Sequence, residues 1–126
     1  MKLFVADDSS LVRERIVRMI SGVQNAEVVG EAADGVETLR LIQDSKPDLV
    51  ILDLKMPKAS GLDILPLIKS LSSRPLVMIL TNYATSSHRA ACTKLGADYF
   101  FDKSKDIEKA IEVIEDLAEA CAHPES

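Results

Sequence analysis

The sequence predicts an α/β fold in which a five-stranded parallel sheet carries helices on both faces. Five short apolar segments alternate along the chain with five segments whose apolar residues recur at helical spacing. The central segment, Leu49–Leu52, is an unbroken apolar run, as expected for a strand that is covered on both faces. Alternating strands and helices predict right-handed crossovers and parallel pairing, which together give a doubly wound (βα)5 domain.

The composition is typical of one globular domain spanning residues 1–126. Hydrophobic residues make up 47% and charged residues 28%, and the formal net charge is −5. This charge, without any concentration of Lys or Arg, argues against direct nucleic-acid binding. Because no apolar run is long enough for a signal peptide or a membrane span, we expect a cytoplasmic protein without membrane insertion. Cys92 and Cys121 lack redox or metal-ligand spacing, which favours reduced thiols.

The predicted strands are short segments that are mostly apolar. They cover residues 2–6, 26–33, 49–52, 76–80 and 98–101. The second is the weakest because Gly30 and Glu31 interrupt it, so we place it nearer an edge of the sheet. The other four end in or next to a polar residue, and these polar residues are the candidates for a functional site.

The first two helices have recognisable start and stop signals. Ser9 or Ser10 can cap the first helix, in which Leu11 is the first of the periodic apolar residues, and Gly22 ends it. The second opens with Asp34-Gly-Val-Glu37, which has the spacing of a capping box, and it ends before Pro47. Its apolar residues are Val36, Leu39, Leu41 and Ile42.

The last three helices differ in composition. The third is predicted over residues 62–71, where Pro66 should kink the helix or delay its start. The fourth, over residues 85–95, consists mainly of small residues and is closed by Gly96. The fifth, over residues 106–120, has an apolar stripe and an acidic opposite face that we interpret as solvated.

Reactive side chains follow four of the strands. Asp7 and Asp8 come after the first strand, Asp53 after the third, Thr81 after the fourth and Lys103 after the fifth. Because parallel strands end at the same edge of a sheet, these side chains should lie close together, at the edge where ligands of open α/β sheets bind. Any one of them alone would more often be a helix cap or a turn residue.

The chemistry of this set favours capture of a phosphoryl group. Three carboxylates at one edge repel one another unless a cation joins them, and Mg²⁺ prefers a few carboxylates together with waters and phosphate oxygens. An aspartate carboxylate can itself attack phosphorus. Lys103 supplies a positive charge and Thr81 a hydroxyl donor for the transferred oxygens. The residues therefore predict that Asp53 accepts a phosphoryl group.

The sequence also carries several motifs around these strand ends: Asp7-Asp8, Asp53 with Met56-Pro57 and Gly61, Thr81, Gly96-Ala97-Asp98, and Lys103. With them, essentially the whole chain resembles the receiver domain of bacterial two-component response regulators, the CheY-like, flavodoxin-like fold. The resemblance implies that a histidine kinase or a histidine phosphotransfer protein phosphorylates Asp53. It also implies that the acidic pair and Asp53 hold Mg²⁺, together with the main-chain carbonyl of Lys55, while Thr81 and Lys103 contact the phosphoryl oxygens.

The resemblance further assigns switch and lifetime positions. Phe100 stands at the aromatic switch position, so movement of Thr81 toward the phosphoryl group would let it turn inward and change the face formed by helix 4, strand 5 and helix 5. That face would bind a downstream protein or a second copy in a phosphorylation-dependent homodimer. Lys55 and Tyr83 stand at the positions that border the path of the attacking water. They predict slow hydrolysis, which would suit a phosphorelay or a lasting signal.

Some features depart from the family pattern or allow another function. Ser104 replaces a proline that is often cis, so an ordinary trans peptide is expected. We favour a stand-alone receiver that is not an enzyme; the second interpretation is the receiver half of a DNA-binding transcriptional regulator. A Mg²⁺-dependent phosphohydrolase is the third, although Asp7-Asp-Ser-Ser does not match the Asp-x-Asp-x-Thr motif of haloacid-dehalogenase-type phosphatases. His88 and His123 are interpreted as a surface helical residue and a tail residue.

Overall fold

The computed structural model describes residues 1–122, which form five strands and five helices that alternate along the chain. In order, these are β1 (Lys2–Ala6), α1 (Ser10–Ser21), β2 (Glu27–Ala32), α2 (Gly35–Ser45), β3 (Leu49–Leu52), α3 (Gly61–Lys69), β4 (Leu76–Thr81), α4 (Ser86–Lys94), β5 (Tyr99–Asp102) and α5 (Ile107–Ala122). All strand pairs are parallel, in the order β2-β1-β3-β4-β5. The predicted doubly wound fold and the edge position of the second strand are both confirmed.

Two hydrophobic clusters lie on opposite faces of the sheet. Along β1, Phe4 belongs to the cluster under α2, α3 and α4, whereas Leu3 and Val5 belong to the cluster under α1 and α5. All four residues of β3 are buried, so the central apolar run is indeed a strand covered on both faces. None of the helices in residues 1–122 combines the length and apolar character that a membrane crossing requires.

Helix α3 differs from its prediction at its first turn. It begins at Gly61, where Ser60 caps it and exchanges hydrogen bonds with Asp63 in a complete capping box. Pro66 lies inside the helix, which runs on to Lys69. Of the two effects expected of this proline, a delayed start is wrong, because the cap at Ser60 starts the helix at Gly61, one residue before the predicted start at residue 62.

Helices α1 and α2 differ from the predictions in one cap and in the burial of two apolar residues. At the start of α2, the amide of Glu37 donates to Asp34 at 2.7 Å, but the Glu37 carboxylate accepts from Arg40 at 2.8 Å. The predicted capping box is thus formed on one side only. Leu11 and Val36 fit the helical apolar spacing, yet they are 78% and 56% exposed. Both stand in the first turn of a helix, at the rim of the sheet rather than over it.

Glycines fix the loop that leads from β3 into α3. A Cβ atom on Gly61 would overlap the main-chain oxygen of Asp53, and one on Gly35 would overlap the main-chain oxygen of Ala59. The amide of Gly61 donates to the carbonyl of Leu54 at 2.8 Å. The backbone that follows Asp53 is therefore pressed against the start of α3, and this close approach requires glycine.

Candidate functional site

The predicted side chains meet at the carboxyl end of the sheet. Asp7, Asp53 and Thr81 are buried, with exposed fractions of 2%, 5% and 0%. The ammonium of Lys103 reaches between two strand ends, where its Nζ lies 2.6 Å from Asp7 Oδ2 and 2.8 Å from Asp53 Oδ2. Asp8 is exposed beside them. The site lies beside the point where the strand order reverses between β1 and β3, the usual ligand crevice of such sheets.

The loop between β5 and α5 holds Lys103 in place. The amide of Lys103 donates to the carbonyl of Thr81 at 2.9 Å, which continues the pairing of the two strands. On either side of it, the amide and the hydroxyl of Ser104 both donate to Asp102 Oδ1, at 2.8 and 2.6 Å. Residues 1–122 contain no cis peptide bond, as expected for serine in place of proline. Ser104 thus stabilises the turn that aims the lysine.

The acidic residues form a cluster that suits a hard cation. Asp7, Asp8 and Asp53 can each offer a carboxylate oxygen such that these oxygens lie within 4.8 Å of one another. The Oδ1 atom of Asp53 is buried and has no hydrogen-bond partner among the described residues. An unpaired buried carboxylate oxygen is costly. Oxygen donors at this spacing, one of them unsatisfied, fit Mg²⁺ better than a closed ion-pair network.

Burial controls the protonation of the central pair. It raises the pKa of the Asp53 carboxyl above its ordinary value, although the hydrogen bond and the charge of Lys103 act in the opposite direction. Burial alone would lower the pKa of Lys103, but its hydrogen bonds to Asp53 and Asp7 raise it. The lysine therefore remains charged, whereas burial disfavours the ionised form of the Asp53 carboxyl.

The residues after β4 form a second group at the rim of the site. Thr81 Oγ1 accepts a hydrogen bond from the amide of Tyr83 at 3.1 Å. The Tyr83 ring is 41% exposed, and the Lys55 ammonium lies 5.3 Å from its centroid. His88 contacts the same ring at 6.3 Å between centroids, and its Nδ1 lies 2.8 Å from Thr85 Oγ1. Lys55 and Tyr83, both expected to border the path of the attacking water, thus contact each other.

Phe100 is already in a buried position. It is 9% exposed, and the guanidinium of Arg89 covers its ring at 4.6 Å from the centroid. Arg89 Nη1 also donates to the carbonyl of Phe100 at 3.2 Å. Arg89 therefore ties α4 to β5 through both the side chain and the main chain of the predicted switch residue.

Sequence reasoning missed three residues that shape this site. Ser104 was considered only as a substitute for proline, while Arg89 and Arg13 were not singled out. Arg13 donates to the main-chain carbonyl of Asp7 at 2.7 Å. No motif marks these residues. Ser104 directly follows Lys103 in the sequence, whereas the two arginines reach their main-chain partners only through the fold. His123 lies outside the described residues.

Comparison with known proteins identifies the family. The family model described as "Response regulator receiver domain" matches residues 3–115. The chain belongs to this receiver family. Receiver domains of this family are the phosphoacceptors of two-component signalling, and the predicted resemblance is confirmed.

Individual relatives carry the same domain within longer proteins. The "uncharacterized transcriptional regulatory protein YhcZ" of Bacillus subtilis is 34% identical over 113 residues, 88% of this chain and 52% of that protein. A protein-glutamate methylesterase/protein-glutamine glutaminase of Methanospirillum hungatei is 35% identical over 89% of this chain and 33% of its own length. The receiver spans between a third and a half of these relatives.

A solved structure shows the same fold. The signal receiver domain of the putative response regulator NarL from Mycobacterium tuberculosis superimposes with a TM-score of 0.85 at 29% identity. The match covers 94% of this chain and 95% of that one. The similarity therefore extends over nearly the whole receiver rather than over a single motif.

Replacing Asp53 by Asn should change how the stability of the metal-free receiver depends on pH. Because the pKa of Asp53 is raised in the folded protein, its proton contributes stability at low pH that is lost as pH rises through the folded-state pKa. The Asn variant has no such proton to lose. The melting temperature of Asp53→Asn minus that of the wild type should therefore increase between about pH 4 and about pH 8.

Thermal unfolding in a chelator, followed by circular dichroism, measures this difference. Asp116→Asn, at an exposed position on α5, is the matched control and should show no such trend. A difference that is constant with pH for Asp53→Asn would contradict the raised pKa.

Proposed function

We propose that the protein accepts a phosphoryl group on Asp53 and signals through a change at its α4-β5-α5 face. The observation that carries this proposal is the asymmetry of the Asp53 carboxylate. One oxygen is held by Lys103 at 2.8 Å, whereas the other is buried beside two further acidic residues and has no hydrogen-bond partner within residues 1–122. A carboxylate in this condition has one oxygen oriented and one oxygen open to react or to bind a cation.

The transfer is a substitution at phosphorus. An Asp53 oxygen forms the new O–P bond while the bond between phosphorus and the donor breaks, and the donor leaves with that electron pair. With phosphohistidine the leaving group is the imidazole of a histidine kinase or a histidine phosphotransfer protein. Lys103 then pairs with a transferred oxygen, and the Thr81 hydroxyl donates to another.

Mg²⁺ fits the acidic cluster and completes this chemistry. Asp7, Asp8 and Asp53 would hold it, with the main-chain carbonyl of Lys55 as a further oxygen ligand. When bound, the ion neutralises the charge that accumulates between the carboxylates and the phosphoryl oxygens. The Lys103 ammonium, which contacts Asp7 and Asp53 in this structure, adds a second positive charge beside the same oxygens.

The signalling part of the proposal rests on how Thr81 is connected. Its hydroxyl accepts from the Tyr83 amide, and its carbonyl accepts from the Lys103 amide. If the hydroxyl moves to a phosphoryl oxygen, the Tyr83 amide loses its partner and the start of α4 is released. The small residues of α4 give it few large apolar anchors, and Arg89 supplies its tie to Phe100. The downstream protein, or a second copy, would bind where this tie is rearranged.

The whole protein is proposed to be either a stand-alone receiver or a DNA-binding regulator that contains this receiver, and one observation decides between them. The stand-alone receiver is the proposal, and the DNA-binding regulator is the second candidate because YhcZ is called transcriptional and is about twice as long as the matched region. The full-length open reading frame decides between them. In either case, we propose that this domain acts in the cytoplasm as a phosphoacceptor with slow self-dephosphorylation, not as an enzyme on an external substrate.

Asp53 should be the phosphorylated residue. Incubation with a small acyl phosphate and Mg²⁺ should add one phosphoryl group, because one side-chain oxygen is oriented by Lys103 and the other accepts no hydrogen bond from the described part of the chain. Mass spectrometry of the intact protein detects the gain, and fragmentation after borohydride trapping locates it. Asp53→Asn should abolish the gain, and the exposed control Asp116→Asn should not. Label on any other residue would contradict the assignment.

The phosphoryl group should be long-lived, because Tyr83 and Lys55 obstruct the attacking water. Their contact at 5.3 Å supports joint shielding at one rim of the site. Tyr83→Ala, and the pair Lys55→Asn with Tyr83→Glu, should accelerate hydrolysis by about tenfold or more, roughly 1.4 kcal/mol off the barrier.

Loss of radiolabelled phosphate from the purified phosphoprotein measures these rates. Lys58→Asn removes an exposed charge from the same loop, at a side chain whose ion pair is with Asp34, and it should leave the rate unchanged. A wild type that loses its phosphoryl group within seconds, or variants no faster than the wild type, would rule out shielding.

A stable phosphate mimic should report the proposed switch. Beryllofluoride with Mg²⁺ should shift the amide resonances of residues 82–104 more than those of residues 24–45, because the first segment contains the Thr81-linked loop, α4 and β5. Asp53→Asn treated in the same way provides the control and should show neither set of shifts. Similar shifts in both segments of the wild type would argue against a localised switch.

A further inference from the structure

The β1–α1 loop contains an arginine that acts on the metal site through the backbone. Arg13, on the first turns of α1, donates from Nη1 to the main-chain carbonyl of Asp7 at 2.7 Å. Its side chain is 19% exposed, and its Nε lies 3.5 Å from Oε1 of Glu31 on β2, an ion-pair distance. Nε is buried and makes no hydrogen bond among the described residues, so the contact with Asp7 is the directional one.

The amide, the carboxylate and the carbonyl of Asp7 all form hydrogen bonds, and Arg13 is the donor to the carbonyl. The Asp7 amide donates to the carbonyl of Ala32 at 3.1 Å. Its carboxylate accepts from the Ser9 amide at 2.9 Å and from Lys103 at 2.6 Å. Each contact comes from a different part of the fold. The hydrogen bond from Arg13 is the one that reaches the carbonyl, which begins the peptide unit leading to Asp8.

The hydrogen bond from Arg13 acts on the peptide unit that leads into Asp8. The carbonyl of Asp7 and the amide of Asp8 lie in one rigid peptide plane, so fixing the carbonyl fixes the direction in which the chain enters Asp8. Asp8 is exposed, and burial does not hold its side chain. Its carboxylate nevertheless offers an oxygen within 4.8 Å of oxygens of Asp7 and Asp53.

We infer that Arg13 is a positioning residue for cation binding, which orients Asp8 toward the ion by holding the Asp7–Asp8 peptide plane. The inference rests on the proposed Mg²⁺ site. Glu31 beside Arg13 offsets the guanidinium charge, so that a positive group can stand next to a cation site with less repulsion. The contact couples the end of β2, through α1, to the acidic cluster.

Replacing Arg13 by Met separates positioning from electrostatics, because the two effects have opposite signs. Removing a positive charge near three carboxylates should by itself strengthen Mg²⁺ binding. Loss of the peptide-plane contact should weaken it, by about tenfold, as for other outer-sphere partners of metal ligands. Arg15→Met removes the same charge from an exposed position on α1 and should leave the affinity unchanged or slightly tighter.

Isothermal titration calorimetry with MgCl₂ measures the dissociation constant, and metal-free melting curves are recorded in parallel. The inference predicts weaker binding for folded Arg13→Met and for Arg13→Lys, which keeps the charge but lacks the planar donor fork. If Arg13→Met does not fold, the Mg²⁺ affinity of Arg13→Lys alone tests the inference.

Unchanged or tighter binding in the folded variants, with or without a lower melting temperature, would overturn the inference and leave Arg13 with a purely structural role. A wild type that binds no Mg²⁺ would instead refute the proposed function on which the inference rests.

Discussion

The structure depends on how one ammonium group balances several carboxylates at a buried edge of the sheet. Lys103 contacts both Asp7 and Asp53, and Asp8 lies close by with no comparable burial. One positive charge among three acidic groups leaves an excess of negative charge that the protein alone does not neutralise. The fold brings these groups together because parallel strands end at one edge, and it holds them there with short backbone contacts. The site therefore has the charge and the oxygen donors that suit a bound cation.

The same arrangement explains why the effect of a phosphoryl group would reach one side of the molecule first. Thr81 contacts both the Lys103 loop and the loop that leads into α4. On the opposite side, the backbone after Asp53 is pressed against Gly61, where not even a methyl group fits. A rigid β3–α3 connection and a lightly anchored α4 together favour displacement toward β5 over displacement toward α3.

The sequence was sufficient for the fold, for the edge position of β2 and for which side chains meet at the carboxyl end of the sheet. These follow from apolar runs that end in charged residues, a pattern that any parallel sheet converts into one cluster. It was not sufficient to predict that the first-turn residues Leu11 and Val36 are exposed. Helical periodicity does not reveal how far the end of a helix extends beyond the sheet. It also missed Arg13 and Arg89, because both donate to main-chain carbonyls, which every residue type carries. Such contacts depend on tertiary geometry and leave no spacing in the sequence.

The contact between Arg89 and the Phe100 carbonyl has a consequence for self-association. β5 pairs with β4 and stands at the end of the sheet order, so its outer backbone groups are available to another strand. It is also aromatic, with Tyr99, Phe100 and Phe101 in a strand of four residues. By occupying one outward carbonyl and covering a ring, Arg89 blunts an edge that would otherwise template intermolecular β-pairing. Movement of α4 that carried Arg89 away would therefore uncover this carbonyl and this ring at the edge of the sheet.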